Sequence, residues 1–183
     1  GAGTGAGTGT FAELYDLTPL PGSDGQFDPE GIAVSTVLGG GTGAGGGAAL
    51  YKPHPAQLAA TDQINLAQGV RPRPGAAGTL VTPDGQPWPA SSVKGSNPPA
   101  LNPQVQQVLD DIPVASQGAA HGRCVEPQSL SKALDAGVDP RGGVMSTGMV
   151  RTEGHPRHGQ SLPPCQSCGV LLDNFGVDWL PPA

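Results

Sequence analysis

Basic side chains are scarce in this sequence: nine Lys and Arg stand against fifteen Asp and Glu in 183 residues, a formal net charge of −6. A protein that holds nucleic acid through its phosphates usually shows a basic face, so any such contact here has to be local. Long apolar runs are missing too, as is a charged-then-apolar leader, so no membrane partner is expected. The first residue is Gly rather than Met, which reads as the tail end of a longer chain. Cysteine is rare: three residues cannot form two bridges, which argues against a disulfide scaffold and for thiols kept reduced for metal. The expected working compartment is then a cytosol, even for a protein exported to reach it.

Glycine and proline are abundant, at 30 and 21 residues, a level at which low-complexity sequence is expected somewhere. The run Gly1 to Thr8 and the stretch Gly39 to Gly47 offer no side chains to bury, so ordering them would cost backbone entropy with little return. Residues 1–69 therefore read as a Gly/Pro-rich linker or partly ordered segment, with apolar islands at Phe11, Leu14, Tyr15 and Ile32 to Val37. Residues 70–183 read as the folded domain. The negative charge belongs to the first part, which carries six acids and one Lys, while residues 118–183 are close to neutral.

Local signals outline the elements. Ala56 to Gln68 suits a helix before the break Arg71-Pro-Arg-Pro-Gly75. Thr79 to Thr82, the turn Pro83-Asp84-Gly85 and Gln86 to Val93 suit a hairpin whose second strand, carrying Pro87 and Pro89, must be an edge. Asn102-Pro103 starts a helix, with Val105, Val108, Leu109 and Ile112 at helical spacing. A third helix follows Cys124, with Pro127 near its start, Leu130, Ala133 and Leu134 on one face and Gly137 as its stop. Gly142 to Arg151 reads as a central strand, and Cys165 opens a helix ended by Gly176 before a short strand at Val177 to Leu180. Two parallel strands joined by a helix would bring both Cys-bearing helix starts to one sheet edge.

All three cysteines fall in two short stretches, His121-Gly-Arg-Cys124-Val-Glu126-Pro127 and Pro163-Pro164-Cys165-Gln-Ser-Cys168. Hydrolytic deamination needs three protein ligands on zinc, a fourth position left open, and a carboxylate close by that does not bind the metal. Cys124, Cys165 and Cys168 can be the ligands of one Zn2+ and Glu126 the proton shuttle. A helix start favours thiolate over thiol, which suits Cys124. Two other readings stay open on these residues. His121 could close a structural Cys3His site, or Cys165-x-x-Cys168 could be a redox pair.

Cys124-Val-Glu126 resembles the [His/Cys]-x-Glu motif, and Pro164-Cys165-x-x-Cys168 the Pro-Cys-x-x-Cys motif, of the cytidine deaminase-like superfamily. Within it, His121 to Pro127 ahead of Leu130-Ser-Lys-Ala-Leu134 is most similar to the YwqJ-like bacterial toxin deaminases, over about residues 76–180. The resemblance implies a compact three-layer α/β fold, a mixed sheet of about four strands flanked by helices. It implies a zinc-dependent hydrolase acting on a nucleobase, cytosine before adenine, in DNA, RNA or a nucleotide. It further implies the toxin domain of a larger protein secreted by a bacterium, active in the target-cell cytoplasm and paired with an immunity protein. Two departures leave the substrate open: no helix and strand follow the fourth strand, and an additional helix (102–112) precedes the first motif.

The loop from Arg151 to Gln160 gathers Arg151, His155, Arg157 and His158 just before the second motif, and is a candidate for phosphate contact alongside His121 as a pocket-lining residue. Phe175 and Trp179 are expected in the core rather than stacked on a base. His54, between prolines, carries no functional weight.

Overall fold

A computed structural model of the chain describes residues 52–95 and 98–183; the islands around Phe11 and Ile32 and the glycine-rich runs lie outside the described residues. In chain order the elements are α1 (Pro55–Gln68), β1 (Ala76–Val81), β2 (Pro87–Ser91), α2 (Pro103–Asp110), α3 (Val125–Asp135), β3 (Val144–Met149), α4 (Gln166–Phe175) and β4 (Asp178–Leu180). The strands form one mixed sheet in the order β2-β1-β3-β4, with β1 antiparallel to both neighbours and β3 parallel to β4. This is an α/β fold, as the motifs implied.

β2 is the edge strand, and its prolines are placed where they cost no ladder bond. Pro89 turns its carbonyl outward to Lys132 Nζ, so its nitrogen also points away from β1. The turn into β2 is closed by Asp84, whose carboxylate accepts from Thr82 Oγ1 at 2.6 Å and from Gln86 N at 3.2 Å. Every residue of β1 is buried, because both faces of the sheet are covered. Leu80 and Met145 point into a core shared with Val105, Leu109, Leu130 and Leu171 from the helices α2, α3 and α4. Ala77 and Val150 point the other way, onto Ile64 and Ala67 of α1. The result is three layers. Phe175 is buried and Trp179 packs against the core with its Nε1 donating to Thr147 Oγ1, so both are structural. Among the described residues no helix is long and apolar enough to cross a membrane.

Helix α1 forms as its sequence suggests but does more than link. Ala56, Ala60, Ile64 and Ala67 lie on one face and are at most 1% exposed, and these mostly small side chains let the helix lie close to the sheet. Opposite Ile64 the sheet supplies Gly148, where a Cβ would stand 2.6 Å from Ile64 Cδ1. Thr79 Oγ1 donates to Ala59 O at 3.1 Å, and Gln57 Nε2 donates to Pro181 O at 2.8 Å. The folded unit thus includes residues 55–68, upstream of the boundary at 70 that composition suggested. His54, given no weight in the sequence, is the cap of this helix: its Nδ1 accepts from Ala56 N, and Gln57 Oε1 accepts from His54 N in return.

Candidate metal centre and active site

Two helix starts converge on one point. Cys124 is the cap residue of α3 and Cys165 the cap residue of α4. Their sulfurs face each other, 3.7 Å apart. Cys168, a turn into α4 and fully buried, brings the third sulfur, and all three Sγ atoms lie within 4.8 Å of one another. Sulfurs held tetrahedrally at about 2.3 Å from a zinc ion would stand about 3.8 Å apart, so the spacing suits a shared metal. The donor set can hold a metal ion.

The electrostatics of the three thiols differ with their hydrogen bonds. Cys165 is where negative charge settles most easily: thiol hydrogen bonds from Cys124 and Cys168, then the backbone N–H groups of Cys168 and Ser167, hold its pKa down to about 2. Those N–H groups are the free donors of the α4 start. Cys124 is pushed up to about 12 by its hydrogen bond to Cys165, and Cys168 is pushed up by its bonds to both partners and by burial. A divalent cation held by the three sulfurs would remove these differences by making every coordinated thiol ionise.

Glu126 sits in the first turn of α3, 4% exposed, two residues beyond Cys124. Burial pushes its carboxyl above the usual carboxylate range, while its own backbone N–H and the Cys168 thiol pull the other way. Among the described residues no cationic side chain forms an ion pair with it, so this buried carboxyl lies beside the thiol cluster without a counter-charge.

The loop ahead of Cys124 wraps the cluster. Cys124 Sγ lies 3.3 Å from Ala120 O, and Gly118 approaches so closely that a Cβ there would meet Cys165 Sγ at 2.9 Å. Ser167, between the two cysteines of α4 and fully buried, accepts from Gly118 N at 2.8 Å and bonds His121 Nδ1 at 2.9 Å. His121 is therefore tied to the loop and to α4, and it does not join the sulfur group; among the described residues the only such group is the three cysteines. A closed Cys3His sphere is not the arrangement this geometry offers. Ser167 was not singled out from sequence, although a small hydroxyl inside Cys-x-x-Cys was visible there.

The loop 151–160 is placed differently. Arg151 Nη1 donates to Gly75 O at 3.0 Å and Val150 O at 2.8 Å, which binds its guanidinium to the protein's own backbone. His158 accepts from Arg151 N through Nδ1 and meets Asn65 Oδ1 through Nε2, stitching the loop to α1. His155 Nδ1 accepts from Arg157 N. Of the four candidates, only the exposed Arg157 has a side chain without a bonded partner among the described residues.

A family model described as YwqJ-like deaminase matches residues 65–177, which span the last turn of α1, both motifs and every later element up to β4. No curated protein and no solved structure matches the chain. With the three thiols of both cysteine motifs brought together and the matched stretch covering most of the sequence, the chain belongs to the YwqJ-like deaminase family.

Proposed function

We propose that the chain is a zinc-dependent hydrolytic deaminase acting on a nucleobase, cytosine before adenine, in a nucleic acid strand or a nucleotide. The observation that carries this reading is the meeting of three thiols from two segments within 4.8 Å, with a buried carboxyl touching one of them. Cys124, Cys165 and Cys168 would hold the zinc, which, bound by three protein ligands, acidifies water enough to supply a nucleophile at neutral pH.

The protein's own groups perform the proton work. Glu126 takes a proton from the attacking water and delivers it to the ring nitrogen next to the amino-bearing carbon. It then carries the water's second proton to the amine, which leaves as ammonia, so the oxygen of water ends as the carbonyl of a uracil-type base. Helix α3 fixes the carboxyl by holding it in its first turn, and burial keeps bulk water from competing for the proton.

The same reading extends to biology: a toxin domain of a secreted bacterial protein, acting in the cytoplasm of a target cell and neutralised by a cognate immunity protein. Family membership supports it. The test is to express the full chain and to survey nucleotide pools, DNA and RNA by mass spectrometry and sequencing. Deaminated bases that vanish in Glu126→Gln are expected; no deaminated base in any pool would remove the reading.

A further inference from the structure

Beside the metal centre, on the outer side of α2, lies an open groove of about 380 Å³. One wall carries His121 and the guanidinium of Arg123, both from the loop that ends at Cys124. Val93 N donates to Arg123 O at 2.9 Å, which ties this loop to the segment that follows β2. The floor carries Leu101 and Leu109, and the opposite wall carries Gln106 and Asp110, the amide of Gln106 donating to Asp110 Oδ1 at 2.7 Å.

Each polar group on the first wall has capacity to spare. Arg123 is exposed, and its guanidinium makes only a 3.5 Å contact with Gly95 O among the described residues. The orientation of His121 follows from Ser167. That buried hydroxyl accepts the Gly118 N–H and lies 2.9 Å from His121 Nδ1, which fixes the ring against α4. His121 Nε2 has no bonded partner among the described residues, and the residue lines the groove.

A negative group at Arg123 and His121, a flat apolar body over Leu101 and Leu109, and a hydrogen-bond donor meeting Asp110 describe one ligand. We infer that the groove holds a nucleotide of a single strand adjoining the reacting one, its phosphate on Arg123 beside the His121 ring and the amino group of its base on Asp110. This rests on the deaminase reading and names the form of its substrate: a strand, not a free nucleoside. It also moves the phosphate contact from the loop 151–160, whose Arg151 is bound to backbone carbonyls, to the residues just ahead of Cys124.

The test uses the full chain, zinc-loaded and carrying Glu126→Gln so that binding is read without turnover. Short fluorescein-labelled single strands, in DNA and in RNA form, are titrated by anisotropy over a range of salt. Loss of one charge-assisted contact should make Arg123→Ala bind about tenfold more weakly. The same variant should flatten the slope of log affinity on log salt by about 0.7. Arg123→Lys should retain the slope, and strands with a neutral methylphosphonate beside the target base should bind the parent as weakly as they bind Arg123→Ala. Asp110→Ala should lose the preference for an amino-bearing neighbour over thymine or uracil. Failure of the parent to bind either strand, or an unchanged affinity and slope in Arg123→Ala, overturns the inference. Absence of deamination by the unmutated chain, with strand binding intact and sensitive to Arg123, would instead sink the deaminase reading and leave the groove standing.

Discussion

Cys124 and Cys165 hold nearly the same backbone conformation, φ −70° with ψ 174° and φ −70° with ψ 170°, at the same position of two different helices. Each residue places a sulfur where a helix start leaves N–H groups free, and the two starts face one another. The candidate metal site is thus a meeting of two helix caps rather than a loop that happens to carry thiols.

Both caps should therefore be needed for metal. Chain purified without added metal is expected to carry one zinc by elemental analysis, and Cys124→Ser or Cys165→Ser to carry far less. Because the binding energy of such a site is also folding energy, chelation should lower the melting temperature of the parent and leave the serine variants where they are. A parent with no metal, or with Cys165 and Cys168 joined as a disulfide after reduction, would contradict this.

Glu126→Gln should separate chemistry from structure. The amide keeps the shape and burial of the side chain but cannot move protons, so turnover should fall by roughly 10²–10⁴-fold with zinc content and melting temperature near those of the parent. Activity within a factor of a few of the parent would remove Glu126 from the proton path.

Gly118→Ala probes the wrap of the loop around the cluster. Its new Cβ would press on Cys165 Sγ from 2.9 Å, and the backbone of the loop is held by Ser167 and cannot withdraw freely. Outer contacts of this kind typically change metal affinity by about 10–100-fold, and a competition titration with a chromogenic chelator should show a loss in that range. Unaltered affinity would mean the loop yields easily.

His54 should give the domain an acid-sensitive helix start. Burial of the ring holds its pKa below the ordinary 6.5, and the ring accepts the Ala56 N–H through Nδ1. As pH falls, the unfolded chain takes up the proton first. The stabilisation is therefore complete above about pH 6.5 and is lost as pH falls through the folded value. His54→Asn keeps a capping acceptor that does not titrate in this range, so its melting temperature should drop less than the parent's between about pH 7 and about pH 5. Equal drops would assign the acid sensitivity elsewhere.

Truncation checks the reach of the domain. A chain starting at residue 52 retains α1, whereas one starting at 70 loses Ala56, Ala60, Ile64 and Ala67 from the sheet face. Ile64 alone represents about 1.5–3 kcal/mol of buried surface, so the shorter chain should be markedly less stable in urea. Similar midpoints for the two would show that α1 is dispensable.

The thiol cluster was legible in the sequence because its pattern is local: Cys124 and Glu126 lie two residues apart in one motif, Cys165 and Cys168 three apart in the second. The hairpin, the edge prolines and the helix starts were legible for the same reason, each being written in neighbouring turn or cap residues. The boundary at 70 was not, since α1 buries mainly alanines, which carry a weak apolar signal, and the Pro-rich break after it resembles a linker. A sharper cue was present in His54-Pro-Ala-Gln57, which has capping-box spacing with His in the place usually taken by Ser or Thr. The fate of Arg151 could not be read at all, because its partner, the Gly75 carbonyl, lies 76 residues away in sequence.

The strand order has a kinetic side. β1 pairs with β3 across the whole interval that contains β2, α2 and α3, and the last tie, Gln57 to Pro181, joins residues 124 apart. Such closures cost chain entropy before they return any contact, so this sheet should assemble slowly. Cys165 and Cys168 share one turn and are together as soon as α4 winds, but Cys124 reaches them only when its helix docks on the sheet. A metal ion supplied to the unfolded chain therefore meets a two-thiol site first, and the arrival of the third sulfur reports the speed at which the sheet closes.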